Sequence, residues 1–370
     1  MNDERISVAC ILPDLRGGGA ERVIVRLLNA LDRKRFRPIL ILIEKNGDYL
    51  DEVATDVEIV DLKRSRMLTA LPALFTVIRR LRPDIVLATH GYVSLPLALL
   101  MPFLPRGIRF IAREANTPSR WSALQPPLRR RIFSFLYRHL FRRFTGIVAQ
   151  SDTMRHDMLS FCRLPGERIT VIHNPVDITA IDRQASLPSA VALPEGVKRV
   201  IAVGRLHPQK QYPMLIEAFS RLNDIPAHLT ILGDGPDKET ILENILERRL
   251  AARVHLAGFI KNPYAVMRRA DLLVLPSAFE GFPNALIEAN ACGIPAVVFH
   301  DIGGASEIII EGLNGYLAQQ GSIEDLAVKM RTALLGNWDR ERIRASAYDR
   351  FGLPNIVAQW EDYFSSGNVN

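Results

Sequence analysis

The sequence predicts an α/β protein of two doubly wound parallel-sheet domains facing across a cleft. Three observations carry this. Short apolar runs alternate with helical stretches along the whole chain. Most of those runs are apolar at every position, as strands buried on both faces must be. The alternation is also interrupted once, near residues 175–195, and then restarts. A chain of 370 residues is long enough for two ordinary domains.

The first series begins with a strand in "ISVACILPDL", a glycine loop "RGGG" and a helix "AERVIVRLLNAL". "FRPILILIE" and "TDVEIVDL" are strands, followed by a helix at "LTALPALFTVIRRLR". "PDIVLATH", "IRFIARE", "TGIVAQS" and "ITVIHNPVD" complete the first sheet. Residues 176–195 are rich in turn formers and read as a linker. The second series has strands in "VIAVGRL", "AHLTILGDG", "RVHLAGF", "DLLVLPS", "PAVVFH" and "GYLAQQ", with helices between. The expected domains are 1–175 and 196–351. A broken helical stretch at about 352–370 is expected to cross back to the first domain on Trp360, Tyr363 and Phe364. Ligands of such sheets sit beyond the carboxyl ends of the strands.

The bulk numbers narrow the function. Hydrophobic residues make up 48% and charged residues 24%, which describes a folded globular chain. Cys10, Cys162 and Cys292 are odd in number and far apart. They form neither a disulfide framework nor a metal pattern, and a reducing compartment follows. No run of 18 apolar residues and no cleavable signal is found, so a cytoplasmic protein is expected. The net charge of +7 is uneven. Residues 1–175 hold 28 Lys/Arg against 17 Asp/Glu, and residues 176–370 hold 19 against 23. The first half therefore calls for an anionic partner: a phosphate-bearing substrate, a membrane surface or nucleic acid.

Several groups are suited to chemistry. "SAFEGFPNALIEANACGIP" places Glu280 in a turn with Gly281, Pro283 and Asn284, and Glu288 two turns into a helix. A helix buried for packing alone has little use for that second acid. "GRLHPQKQ" puts Arg205 and Lys210 after a strand that ends at Gly204, two cations suited to a diphosphate. The structural alternative is a solvated loop. "GDGP" holds Gly233 in another turn, and "DIGGASEII" sets Gly303 and Gly304 before a helical start, where main-chain N–H groups suit phosphate or sugar oxygens. "RGGGAER" has the same form, without dinucleotide or P-loop spacing. Gly18 and Gly19 there permit close approach to the backbone.

Together "GRLHPQK", "GDGP", "GF" at 258–259, "NPYAVMRRADLLVLPSAFEGFPNALIEANACGIPAVV" and "GGASEII" resemble the donor-binding half of the family-4 glycosyltransferases. "GGAER" and "VIHNPVD" are similar to that family as well. The resemblance spans nearly the whole chain and implies the GT-B fold. It implies a sugar transferred from a nucleotide diphosphate, with a UDP-sugar expected, to a hydroxyl of a lipid-linked glycan. It further implies retention of configuration and no metal or other cofactor. By that resemblance Glu288 binds the ribose hydroxyls, Glu280 stands by the donor sugar, and Arg205 with Lys210 neutralises the leaving diphosphate. Gly304, Ala305 and Ser306 meet the donor by main chain, and Phe259 lines the base pocket. Gly18, Gly19, Gly204, Gly233, Phe282, Pro283 and Asn284 are the remaining donor-side candidates. Retention is expected from attack on the leaving-group face. Double displacement on Glu280 is the other route.

Many family members carry a histidine after the strand that reads "IRFIAREANTPS" here. This chain has Arg113, Glu114 and Asn116 instead. Either Arg113 or Asn116 meets the donor-sugar hydroxyl, or Glu114 orients the acceptor. His90 is a fourth acceptor-side candidate, with a structural role as its alternative. Residues 120–144 carry no acid, and six arginines fall between Arg129 and Arg143. With apolar and aromatic residues at helical spacing, this stretch is expected at an anionic membrane surface. A core helix with solvated arginines is the bland reading. Nucleic acid is disfavoured, since no reading helix or stacking sheet is evident. The rival functions are a nucleotide-sugar epimerase of the same shape and a non-catalytic nucleotide-sugar binding protein.

Overall fold

In a computed structural model of the protein, residues 4–16 and 18–366 are described. The chain forms two compact units, Met1–Pro175 with Leu353–Asn370, and Val176–Gly352. Each is built on one wholly parallel sheet.

The first unit holds β1 (Ile6–Leu12), β2 (Phe36–Leu42), β3 (Glu58–Asp61), β4 (Ile85–Thr89), β5 (Arg109–Arg113), β6 (Gly146–Ala149) and β7 (Ile169–Val171). Their order is β3-β2-β1-β4-β5-β6-β7, with Cys10 in register with Leu40 on one side and Leu87 on the other. Successive strand side chains point to opposite faces. Val8, Cys10 and Leu12 accordingly enter one core while Ala9 and Ile11 enter the other. That is why "VACIL" is apolar at every position. The helix Leu353–Ser365 belongs to this unit. Its Ile356, Val357, Trp360 and Phe364 recur at helical spacing and join the core beneath β1 and β2, with Phe364 edge-on to Phe36. Arg109 ties its end by donating to the Phe364 carbonyl at 2.6 Å. Of the terminal stretch expected to cross back, residues 367–370 lie outside the described residues.

The second unit holds β8 (Lys198–Val203), β9 (Ala227–Leu232), β10 (Val254–Gly258), β11 (Leu272–Leu275), β12 (Ala296–Phe299) and β13 (Gly315–Ala318), in the order β10-β9-β8-β11-β12-β13. Residues 176–195, read from sequence as a linker, contain the helix Ile178–Ala185, and its Ile181 is buried in this unit's core. In both sheets the order reverses once, between β1 and β4 in the first and between β8 and β11 in the second. At such a switch point adjacent connections leave in opposite directions and open a crevice past the carboxyl ends of the strands.

Candidate active site

The second unit's switch point gathers most of the predicted donor-side residues. After β8 the chain turns at Gly204, leaves Arg205 exposed, and forms a short turn at Pro208–Lys210. After β11 it passes Ser277 and reaches Glu280. Lys210 Nζ donates to Glu280 Oε1 at 2.5 Å, and Ser277 Oγ donates to the same oxygen at 2.6 Å. The two side chains of this ion pair are only 20% and 12% exposed. Gln209 ties the two loops together. Its side-chain amide donates to the Phe279 carbonyl and its own carbonyl accepts from the Ala278 N–H, both at 2.8 Å. Tyr212 donates to the Gly204 carbonyl at 3.0 Å. Burial, and secondarily the charge of Glu280, holds that phenol well above its ordinary pKa.

The glycine turns lie against these loops. Gly233 sits at φ 153°, where an added Cβ would overlap the Gly204 carbonyl. Gly303 sits at φ 60°, and a Cβ there would overlap the Glu280 and Gly281 carbonyls. Only glycine allows that approach. The Gly304 N–H donates to the Gly281 carbonyl at 3.2 Å, and Ala305–Ile308 follows as a single helical turn with Ser306 exposed.

Pro283 begins the helix Asn284–Ala291, which is buried from Leu286 to Ala291, Glu288 included. Glu288 Oε1 accepts from the Tyr264 hydroxyl at 2.7 Å. Phe259 is exposed beyond β10. Phe282 differs: its ring is buried in the unit's core, edge-on to Phe351, so only its main chain remains for a donor.

The first unit's switch point is built otherwise. Gly18 precedes the helix Gly19–Ala30, and the Glu21 carboxylate lies against the Gly18 α-carbon. His90 follows β4 at φ 73°, a strained setting for a residue with a Cβ. Its Nε2 is 3.4 Å from Glu21 Oε1 and its ring stacks on Tyr92. Arg113 and Glu114 are buried at 1% and 3% exposure. Arg113 Nη2 donates to Asn174 Oδ1 at 2.6 Å, the Asn174 amide donates to Gln150 Oε1, and Gln150 donates to the Glu114 carbonyl at 2.5 Å. The Tyr137 hydroxyl donates to Glu114 Oε2 at 3.2 Å. Burial pushes Glu114 up to about 8, against the lowering effects of Tyr137, Gly91 and Arg113. Burial also brings Arg113 down to about 10, opposed by Glu21, Cys10 and Glu114. Arg113 Nη1 and Glu114 Oε1 have no hydrogen-bond partner. Of the four acceptor-side candidates Asn116 and His90 are partly exposed, whereas Arg113 and Glu114 are buried, each with one side-chain atom bonded and one without a partner.

The arginine-rich stretch also divides. In the helix Pro127–Leu140, Tyr137 and Leu140 face the core, and Phe141 and Phe144 follow them inward. Leu128, Ile132 and Phe135 are exposed, beside exposed Leu124. Arg138, Arg142 and Arg143 donate to main-chain carbonyls of Phe161, Arg163 and Ala98. Arg129, Arg130 and Arg131 are exposed. Among the described residues no group of three or more His, Cys, Asp or Glu could hold a metal ion, and no helix is long and apolar enough to cross a membrane.

Sequence reasoning missed Ser277, Gln209, Tyr264, Gln150 and Tyr137 as members of these clusters. Ser277 stands three residues before Glu280 and was within reach of a turn argument. The others meet their partners only through the fold.

Two Rossmann-like units, each on one parallel sheet, are the architecture of the GT-B class. Two family descriptions match in succession: Glycosyltransferase Family 4 over residues 17–180 and Glycosyl transferases group 1 over residues 184–350. The chain belongs to the family-4 glycosyltransferases, enzymes of GT-B fold. It is 28% identical over 352 residues to the N-acetylgalactosamine-N,N'-diacetylbacillosaminyl-diphospho-undecaprenol 4-alpha-N-acetylgalactosaminyltransferase of Campylobacter jejuni, covering 91% of this chain and 94% of that one. Its fold matches a glycosyltransferase from Rickettsia africae with TM-score 0.80 at 18% identity, over 98% of both chains. It also matches Anabaena HepE, solved with UDP and glucose, with TM-score 0.78 at 20% identity, over 98% of this chain and 100% of the other.

Proposed function

We propose that this glycosyltransferase moves a hexose or N-acetylhexosamine from a UDP-sugar to a hydroxyl of a lipid-linked glycan, with retention of configuration. The second unit binds the donor, and the first, with the helix Leu353–Ser365, takes the acceptor. The observation that carries the donor half is the Lys210–Glu280–Ser277 contact at the switch point, with Glu288 eight residues on. The bond from the sugar C1 to the β-phosphate oxygen breaks and one from C1 to the acceptor oxygen forms. The acceptor proton passes to the departing diphosphate, whose growing charge Lys210 and Arg205 meet. Cations already held in place lower that barrier without reorganising as the bond breaks. Glu280 balances Lys210 before the donor arrives and lies where positive charge develops on the sugar. Gly304, Ala305 and Ser306 supply main-chain contacts, Glu288 takes the ribose, and Phe259 takes the base.

On the acceptor side, Asn116 and His90 are the contacts, while Arg113 and Glu114 hold the loop that carries Asn116. The full-length Campylobacter relative acts, by its name, on a diphospho-undecaprenol substrate. A lipid-borne acceptor suits this chain too, because exposed Leu128, Ile132 and Phe135 beside Arg129–Arg131 form a surface fitted to anionic headgroups. On this reading the enzyme works at the inner face of the cytoplasmic membrane.

The test is a panel of nucleotide sugars incubated with and without membrane lipid extract, read by product mass. One sugar added to a lipid in a single reaction supports the reading. A donor altered with no lipid present would replace it with the epimerase.

A further inference from the structure

Tyr264 has no part in the mechanism above. It is buried at 1% exposure in the core cluster that also holds Val266, Met267, Leu286 and Ile287. A phenol in such surroundings needs a partner for its O–H. Here the partner is Glu288 Oε1 at 2.7 Å, an acid carried on a different helix. The tyrosine is itself held in place. Its N–H donates to Asn262 Oδ1 at 3.2 Å, and the Asn262 amide donates to the Gln184 carbonyl at 2.7 Å.

We propose that Tyr264 is a positioning residue that sets the Glu288 carboxylate for the ribose hydroxyls of the nucleoside diphosphate. The inference rests on the donor-site reading above. A carboxylate has about four acceptor positions, so one bond to Tyr264 leaves capacity for two hydroxyls. Glutamate has three side-chain torsions, and freezing them costs free energy at the moment of binding. The phenol restricts them before the nucleotide arrives. Tyr264 therefore acts on ribose recognition through Glu288 without touching the ligand.

The experiment titrates UDP and 2′,3′-dideoxy-UDP by calorimetry into the wild type, Tyr264→Phe and Glu288→Ala, with a melting temperature for each. Tyr264→Phe is expected to weaken UDP roughly 5- to 20-fold, a part of what a lost bond to a charged group costs. It should leave dideoxy-UDP within about 2-fold, because that nucleotide lacks the hydroxyls the carboxylate would grip. Glu288→Ala should weaken UDP at least as much. Unchanged UDP affinity in Tyr264→Phe, with Glu288→Ala impaired, overturns the inference and leaves the donor site standing. Equal weakening of both nucleotides in Tyr264→Phe assigns the tyrosine a structural role and also overturns it. Unchanged UDP affinity in Glu288→Ala removes the donor-site reading itself.

Discussion

The two switch points carry similar residue types and treat them in opposite ways. In the second unit, Lys210 and Glu280 neutralise each other at the edge of solvent, with Arg205 exposed alongside. In the first, Arg113 and Glu114 lie beneath the surface, and each keeps a polar atom without a partner. An ion pair near water stays charged and can be redirected toward a ligand. A buried charged group is expensive unless its polar atoms are bonded within the fold. Similar chemistry is therefore partly exposed in one unit and buried in the other, and on the proposed reading that difference in burial separates a catalytic pair from a scaffolding one.

The sharpest way to break this comparison is Lys210→Ala. Removing a preorganised cation from the leaving group should lower kcat by about 10²- to 10³-fold, with the melting temperature little changed, in a steady-state assay of sugar transfer. A variant that melts early but turns over normally would reverse the assignment.

Arg113→Met tests the other side. Deleting a buried guanidinium removes its bond to Asn174 Oδ1 and should destabilise the first unit by about 2–4 kcal/mol, read by chemical denaturation. Its nucleotide affinity should match the wild type, since the proposed donor site lies in the other unit.

Glu114 supplies a pH test. Its folded pKa of about 8 lies above the ordinary 4.5. Between those values the folded protein holds a proton that the unfolded chain has lost. The stability contributed by Glu114 is then fullest below pH 4.5 and is lost as pH rises through 8. Glu114→Gln should flatten that decline in urea midpoints measured from pH 5 to 8. An unchanged slope would mean that Glu114 is ionised in the fold.

The smallest expected change in stability is in the Leu128→Ser, Ile132→Ser, Phe135→Ser triple variant. Exposed positions of this kind shift stability by no more than about 0.5 kcal/mol each. Flotation with vesicles of anionic phospholipid should nonetheless lose the protein from the lipid fraction. Equal flotation of variant and wild type would remove the membrane surface from the proposal.

Much of the fold was legible because its signals are local. All seven runs read as strands in the first series and all six in the second appear as strands in the structure. Glu280 and Glu288 were conspicuous because a turn and a buried helix are encoded by adjacent residues. The arginine-rich stretch was harder. Its apolar residues recur at helical spacing on both the inward and the outward side, and Arg138, Arg142 and Arg143 look like surface charges until their carbonyl partners are known. Phe282 sits in the motif yet points into the core.

The sequence by itself determined the two alternating series, the break between them and the spacing of the two glutamates, since each depends on residues a few positions apart. Only the tertiary structure decided that Lys210 meets Glu280 across 70 residues, that Tyr264 reaches Glu288 across 24, and that Arg113 finds Asn174 across 61. The first depends on which strand ends become neighbours at a switch point, and the other two on how further strands and helices pack beside such a point. Strand order is settled when the whole sheet packs, and no short window of sequence contains it.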